Sequence, residues 1–303
     1  MLTRTAFSLV GLLGYLAVPS VALVFPSDGS KGRRPPSKID NSIGMKLVLI
    51  PPGKYLIGSP QDEKGRRKDE EQHEVQITRA FYLGIHEVTQ RQFKEVMGFN
   101  PSYFSAQASG RQGVVYEDWS KPGGGRDKVK DLDSTGDLSV ENVSWYEAVE
   151  FCERLSALPA ERSAGRAYRL PSETEWEYAC RGGAASYQVF HYGNSLSGQQ
   201  ANFRGTMPYG GAAKGPWLER TCKVGTYKPN AFGLFDMHGN VWEWCSDRFE
   251  YEGDRGFRVR RGGSWGDSGD HCRSASRLRR VPGDHRWNLG FRAALVTRPV
   301  GPE

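Results

Sequence analysis

Histidine, cysteine and long apolar runs are all scarce in this chain of 303 residues, and each scarcity removes a class of chemistry. The six His (His73, His86, His191, His238, His271, His285) include no close pair at metal-ligand spacing, which argues against a histidine-built zinc or iron centre. No glycine-rich phosphate loop occurs, and Ser264 has no base near it in sequence, so phosphate transfer and serine-nucleophile chemistry both lack their residues. No internal repeat stands out. The net charge of +6 is spread along the chain, densest at Arg260, Arg261 and residues 273–280, with acids gathered at residues 69–74. That distribution reads as a solvated mixed surface, and no nucleic-acid partner is expected.

The main apolar run, residues 6–18, follows a single cation, Arg4, and leads to Ser20-Val21-Ala22. Residues 1–22 therefore read as a signal peptide, and the chain is expected to be exported, whether periplasmic, secreted or at the cell surface. The run is too short and too interrupted for a confident membrane span, so a membrane role is expected only if the segment stays as an anchor. Residues 23–42, with Pro26, Pro35, Pro36 and a Lys31-Arg33-Arg34 cluster, read as a linker, and residues 43–297 as one domain. The 37 Gly and 17 Pro predict a loop-rich fold of short elements.

The richest stretch is GLFDMHGNVWEWCSD, residues 233–247. Gly239-Asn240 reaches positive φ at low cost, so the backbone can turn sharply there and feed a strand. Alternation along that strand separates Trp242 and Trp244 from Val241, Glu243 and Cys245, as in a hairpin with one aromatic core face. Ser144 with Glu147, and Ser172 with Glu175, are capping boxes that open two principal helices. These helices bury Ala148, Phe151, Cys152 and Leu155 in one case, and Trp176 and Cys180 in the other. Thr89 caps a third helix whose Phe93, Val96 and Met97 share a face. Residues 45–58 read as a first hairpin, residues 61–74 as a charged loop, residues 75–82 as a second strand, and residues 100–136 as a surface insertion.

Seven phrases then recur in order: Gly44-Met45-Lys46-Leu47-Val48 with Ile50-Pro51-Pro52-Gly53; Tyr82 to Thr89; Val140 to Trp145; Arg169 to Tyr178; the stretch above; Arg261-Gly262-Gly263-Ser264-Trp265; and Asn288-Leu289-Gly290-Phe291-Arg292. Together they resemble the formylglycine-generating enzyme, or sulfatase-modifying factor, family over about residues 43–297. The resemblance implies an α+β formylglycine-generating-enzyme fold, related to C-type-lectin-like folds and built of short strands and two principal helices. Active members of that family carry a Cys two residues after the Gly-Gly-Ser-aromatic phrase and a second Cys five further on. This pair binds copper(I) and activates oxygen to oxidise a substrate cysteine. Here Asp267 stands at the first position, and a hard carboxylate does not replace a soft thiolate for copper(I), so copper is not expected. Counting from Ser264 puts Cys272 at the second, catalytic position. Counting back from Asn288-Leu289-Gly290 makes Cys272 structural, and neither register restores the pair.

Other expectations also come from the resemblance. Trp242, Ser264 and Asn288 match positions lining the substrate groove. Asp236, Gly239, Val241 and Glu243 match a calcium site, and Asn202 and Phe203 match part of a second. Cys180 with Cys272 is the implied disulfide, Cys222 with Cys245 a weaker pairing, and Cys152 is left as a free buried thiol. Two functions stay open: a calcium-stabilised module that binds a protein or peptide, possibly a sulfatase, or an oxidase acting on a sulfatase cysteine or another substrate through a nonheme metal.

Overall fold

The computed structural model describes residues 36–108, 124–184, 186–250 and 256–297. The expected signal peptide, most of the linker and the middle of the expected insertion lie outside these residues. Strands β1 (Lys38–Asp40), β2 (Lys46–Ile50), β3 (Gly53–Ile57), β4 (His73–Ile77) and β5 (Phe81–Gly84) come first. They are followed by helices α1 (Gln90–Met97), α2 (Gly125–Val129), α3 (Trp145–Ala157) and α4 (Pro159–Ser163). Strand β6 (Arg166–Arg169) and helix α5 (Glu173–Arg181) precede β7 (Trp242–Arg248), β8 (Arg258–Arg261), β9 (Arg277–Arg280), β10 (Leu289–Gly290) and β11 (Ala294–Thr297).

The helices start where their caps predict. Thr89, Ser144 and Ser172 each accept the third helical N–H through the side-chain oxygen, and Gln92, Glu147 and Glu175 each accept the cap residue's own N–H in return. Each such reciprocal pair satisfies two amides that a helix end would otherwise leave bare. Gly98 and Gly182 end α1 and α5 in the left-handed conformation.

A five-stranded sheet of order β1-β2-β5-β11-β6 joins the two ends of the domain, and a four-stranded sheet of order β10-β7-β8-β9 carries the aromatic stretch. Strand β1 shows that the fold begins inside the segment read as a linker. The hairpin expected over residues 45–58 does not form, because β2 pairs with β1 and β5 while β3 pairs with β4 in a separate ribbon. Pro51-Pro52 hold the chain extended between β2 and β3, so it leaves the first sheet and does not reverse within it. The strand expected over residues 75–82 is likewise two strands in two sheets. Around the expected insertion, Ser102, Phe104 and Val129 are buried, so its described ends are core-packed.

Strand β7 divides the interior. Trp242 and Trp244 join α1 and α3 in a cluster with Phe93, Phe151 and Phe291, while Cys245 faces a second cluster with Trp176, Cys180, Leu234 and Met237. That is the alternation expected from the sequence. The arginines are not the solvated surface that their spread suggested. Arg261 reaches Glu173 and Glu177 at 2.8 and 2.7 Å, and Arg273 reaches Glu63 and Glu70 at 2.6 and 2.8 Å. The charged segment 61–74 is thereby bound to the body of the domain. Among the described residues, no helix is long and apolar enough to cross a membrane.

Candidate functional site

Asp267 occupies a turn made by the second half of the Gly-Gly-Ser phrase, its N–H donating to the Ser264 carbonyl at 3.1 Å. Its carbonyl accepts from Arg204 N–H at 2.8 Å. Its carboxylate oxygen Oδ2 takes the Trp242 indole N–H at 2.8 Å and the Ser264 hydroxyl. Asn288 Nδ2 in turn donates to Ser264 Oγ at 3.0 Å. The three residues expected to line a groove, Trp242, Ser264 and Asn288, therefore converge on the Asp267 carboxylate, at the position where the resemblance implies a thiolate. One oxygen of that carboxylate already takes two neutral donors.

Cys272 ends a short 3-10 turn, Gly269–Cys272, and is buried beside Val189, Phe190 and Phe203. A Cβ on Gly263 would lie 2.6 Å from its sulfur, so the glycine lets the chain close over the thiol. Burial, then the nearby charges of Asp267 and Asp270, push its pKa well above the usual thiol value. Cys272, expected at the second, catalytic position, is thus a fully buried thiol whose ionisation is disfavoured, unlike the environment of an activated one.

All five cysteines are free and buried, so neither expected disulfide is present, while Cys152 is the free buried thiol expected. The His238 ring contacts both halves of the preferred pair. It lies 3.9 Å from Cys180 Sγ, and its Nδ1 is 2.7 Å from the Cys272 carbonyl. The ring thus touches Cys180 at its sulfur and Cys272 at its main chain. Cys222 turns to Asn240 Oδ1 at 3.5 Å, whereas Cys245 lies in the second core cluster.

Behind the groove, three carboxylates are buried together. Glu243 is held by Arg292, which donates Nη2 to Oε1 and Nε to Oε2, both at 2.7 Å, and by the Trp176 indole N–H at 2.7 Å. Glu87 accepts from Ser139 Oγ at 2.5 Å, Asn240 Nδ2 at 2.8 Å and Val241 N–H at 3.3 Å. Asp236, in the left-handed region at φ 57°, accepts from Gly225 N–H at 2.6 Å through Oδ2. Burial, and then the charges of Asp236 and Glu243, raise the Glu87 pKa well above the carboxylate range. Burial chiefly raises that of Asp236 to about 6. The sequence reading missed Glu87 and Arg292, although both lie inside family phrases and Glu87 stands beside the buried Val88.

The fit of these residues to a cation is uneven. Asp236 Oδ1 and Asn202 Oδ1 are buried without a hydrogen-bond partner, as oxygens left for a hard cation would be. Glu243 turns both oxygens to Arg292, and no group of three or more His, Cys, Asp or Glu among the described residues is arranged to hold a metal ion. A cation at the turn would therefore rest on Asp236 and main-chain oxygens. Gly239 is needed there on two counts: its φ is 99°, and a Cβ would lie 2.4 Å from the Asn202 carbonyl. Phe203 is buried in the third core cluster.

Beside Ser264 and Asn288, their chain neighbours Trp265 and Trp287 line a cavity of about 230 Å³ with Tyr103, Phe104, Trp217, Lys128 and Glu219. Trp217 and Trp265 spend their indole N–H groups on the carbonyls of Trp265 and Trp287 at 3.0 and 3.3 Å. The walls therefore offer ring surface, with charge from the Lys128–Glu219 pair alone. Sequence reading did not find this cavity, whose walls come from five separate segments.

A family profile described as sulfatase-modifying factor enzyme 1-like domain matches residues 35–296. The chain is 30% identical to the inactive C-alpha-formylglycine-generating enzyme 2 of Mus musculus, the match covering 82% of this chain and 85% of that protein. It is 29% identical to the formylglycine-generating enzyme of Mus musculus, covering 84% and 76%. Among solved structures, PvdO from Pseudomonas aeruginosa superposes with a TM-score of 0.63 at 26% identity, covering 87% of this chain and 99% of that one. Treponema denticola variable protein 1 does so with 0.62 at 26%, covering 86% and 99%. With its few helices, short strands and ordered phrases, the chain belongs to the sulfatase-modifying factor family, the formylglycine-generating-enzyme-like proteins.

Proposed function

We propose that this protein is an exported, non-catalytic member of its family that holds a peptide segment of a partner protein in the groove around Asp267, Trp242, Ser264 and Asn288. The observation that carries this reading is the carboxylate of Asp267, to which Trp242 and Ser264 both donate. A copper(I) oxidase needs two exposed thiolates at that place, and the chain offers a hard oxygen ligand and one buried thiol. The aromatic cavity next to Ser264 suits an apolar or ring-bearing side chain of the partner, since Tyr and Trp supply contact area at low entropic cost. A sulfatase is one candidate partner, in keeping with the name of the family.

Calcium belongs to the same proposal. Asp236 Oδ1, the Gly239 and Val241 carbonyls and, at a second place, Asn202 Oδ1 with Phe203 would hold it. Its chemistry there would be structural, neutralising the acids buried behind the groove.

The test pairs turnover with capture. Purified protein, loaded with copper(I) or left without it, is given a Cys-x-Pro-x-Arg peptide; no aldehyde product forms, while proteins captured on it under exported conditions are displaced by Trp242→Ala or Ser264→Trp. Metal-dependent formation of formylglycine would overturn the proposal.

A further inference from the structure

Five arginines are buried among the described residues: Arg181, Arg260, Arg261, Arg273 and Arg292. Four of them meet carboxylate oxygens at 2.6 to 2.8 Å. Arg260 meets none. It is 7% exposed, the central carbon of its guanidinium lies over the Trp242 ring at 4.5 Å from the centroid, and its Nε–H is buried without an acceptor. Such a position over an indole is favourable for a guanidinium, yet it gives the N–H donors no acceptor.

The pleat explains the company Arg260 keeps. Arg260 lies opposite Leu278 and Arg258 opposite Arg280, so Arg260 and Arg280 project from the same face of β8 and β9. Arg280 Nε is also buried without an acceptor. The acids at hand do not meet the demand. Asp284 is shared at 3.8 Å from Arg280 and 3.7 Å from Arg286, and Asp267 accepts from Trp242 and Ser264. Burial, followed by repulsion from Arg280, lowers the Arg260 pKa to about 10; Asp267 opposes this shift, while Arg286 and Arg67 add to it. A buried cation without an acceptor is costly, and a guanidinium fork held over the ring that borders Asp267 is matched to an incoming oxyanion.

We propose that Arg260, with Arg280 and Arg286 beside it, forms an oxyanion-binding subsite of the groove, and that the partner segment held there is acidic, placing a carboxylate on the Arg260 guanidinium. This rests on the peptide-holding reading above and adds the chemical character of the ligand.

The probes are inorganic sulfate, a fluorescent Asp-Gly hexapeptide, its Asn-Gly counterpart and a Cys-x-Pro-x-Arg peptide, each titrated at fixed ionic strength by calorimetry or anisotropy. Sulfate is expected to bind and to compete with the Asp peptide, and the Asn peptide to bind at least about tenfold more weakly, as loss of one member of a buried charge pair implies. Arg260→Gln removes the discrimination, and Arg260→Lys restores part of it, because a point charge lacks the fork. Should Arg260→Gln fail to fold, Arg286→Gln, whose side chain is 50% exposed, is expected to weaken the Asp peptide selectively. Equal binding of the Asp and Asn peptides overturns the acidic subsite. If the Cys-x-Pro-x-Arg peptide still binds in that case, the groove reading survives alone. Sulfate binding through Arg260 with no peptide bound at all overturns both the acidic-segment occupant and the groove reading.

Discussion

The Trp242 indole N–H and the Asp267 carboxylate meet at 2.8 Å, and the Ser264 hydroxyl donates to the same oxygen. A carboxylate standing where the family resemblance implies a thiolate is thereby part of the scaffold. Asp267→Cys is therefore expected to remove an acceptor and give no oxidase. Each donor left unsatisfied costs about 1 to 3 kcal/mol, read by urea unfolding. No paired-thiol copper(I) site appears in a competition titration, because Cys272 stays closed beneath Gly263. A tight one-to-one copper(I) complex in this variant would show that the second thiol is within reach.

Among the described residues Arg292 is the cation paired with the group of three buried acids, forked onto Glu243 at 2.7 Å through both Nε and Nη2. Arg292→Met leaves Glu243 beside Glu87 and Asp236 with no countercharge. The expected loss is about 3 to 5 kcal/mol, the usual result of stripping one partner from a buried ion pair. Arg292→Met with Glu243→Leu is expected to regain much of that loss in the same urea experiment, because the unpaired charge is removed as well. A single variant as stable as the original would mean that the acids are protonated or otherwise compensated.

Much of this was written locally in the chain. The capping boxes at Ser144 and Ser172 act over three residues, and the alternation of Trp242 and Trp244 against Cys245 is a property of one strand, so both could be read directly. The groove residues were legible only through family phrases, since nothing near Ser264 in sequence points to Trp242 or Asn288. What stayed hidden depends on distant partners. Asn240 reaches Glu87 across 153 residues, and Arg273 reaches Glu70 across 203, so charge spacing alone could not distinguish buried pairs from a wet surface. The absent disulfides have the same origin. Sequence placed Cys180 and Cys272 on suitable elements, but both are free, and the His238 ring that contacts Cys180 Sγ and the Cys272 carbonyl comes from a third segment.

The thiols give a direct check on that correction. With all five cysteines free and buried, the folded protein at pH 8 is expected to leave a thiol-specific disulfide reagent almost unreacted, and to release five equivalents in denaturant. Reducing agent should leave the melting temperature unchanged. Fewer than five equivalents, with mass loss matching a bridge, would restore a disulfide to the protein as it is made.

His238 gives the pH dependence its sign. Its two nitrogen contacts assign the neutral tautomer: Nδ1 donates to the Cys272 carbonyl at 2.7 Å, and Nε2 accepts from His191 N–H at 3.1 Å. Protonating Nε2 would break the second bond in a buried site. Burial first, then the nearness of His191, holds the His238 pKa well below its usual value, and burial lowers His191 and His86 to about 4. Groups whose folded pKa is depressed bind fewer protons folded than unfolded, so their contribution is intact above about 6.5 and is lost as pH falls toward 4. Asp236 and Glu87 act in the opposite direction, because a raised carboxylate pKa favours the folded state at low pH. The difference between original and variant isolates the imidazole. His238→Gln, whose amide can both donate and accept, is expected to lose less stability than the original protein between pH 7 and pH 4.5, measured by urea unfolding at each pH. Parallel losses in the two proteins would mean that His238 titrates normally in the fold, and would remove the tautomer from the account of the site.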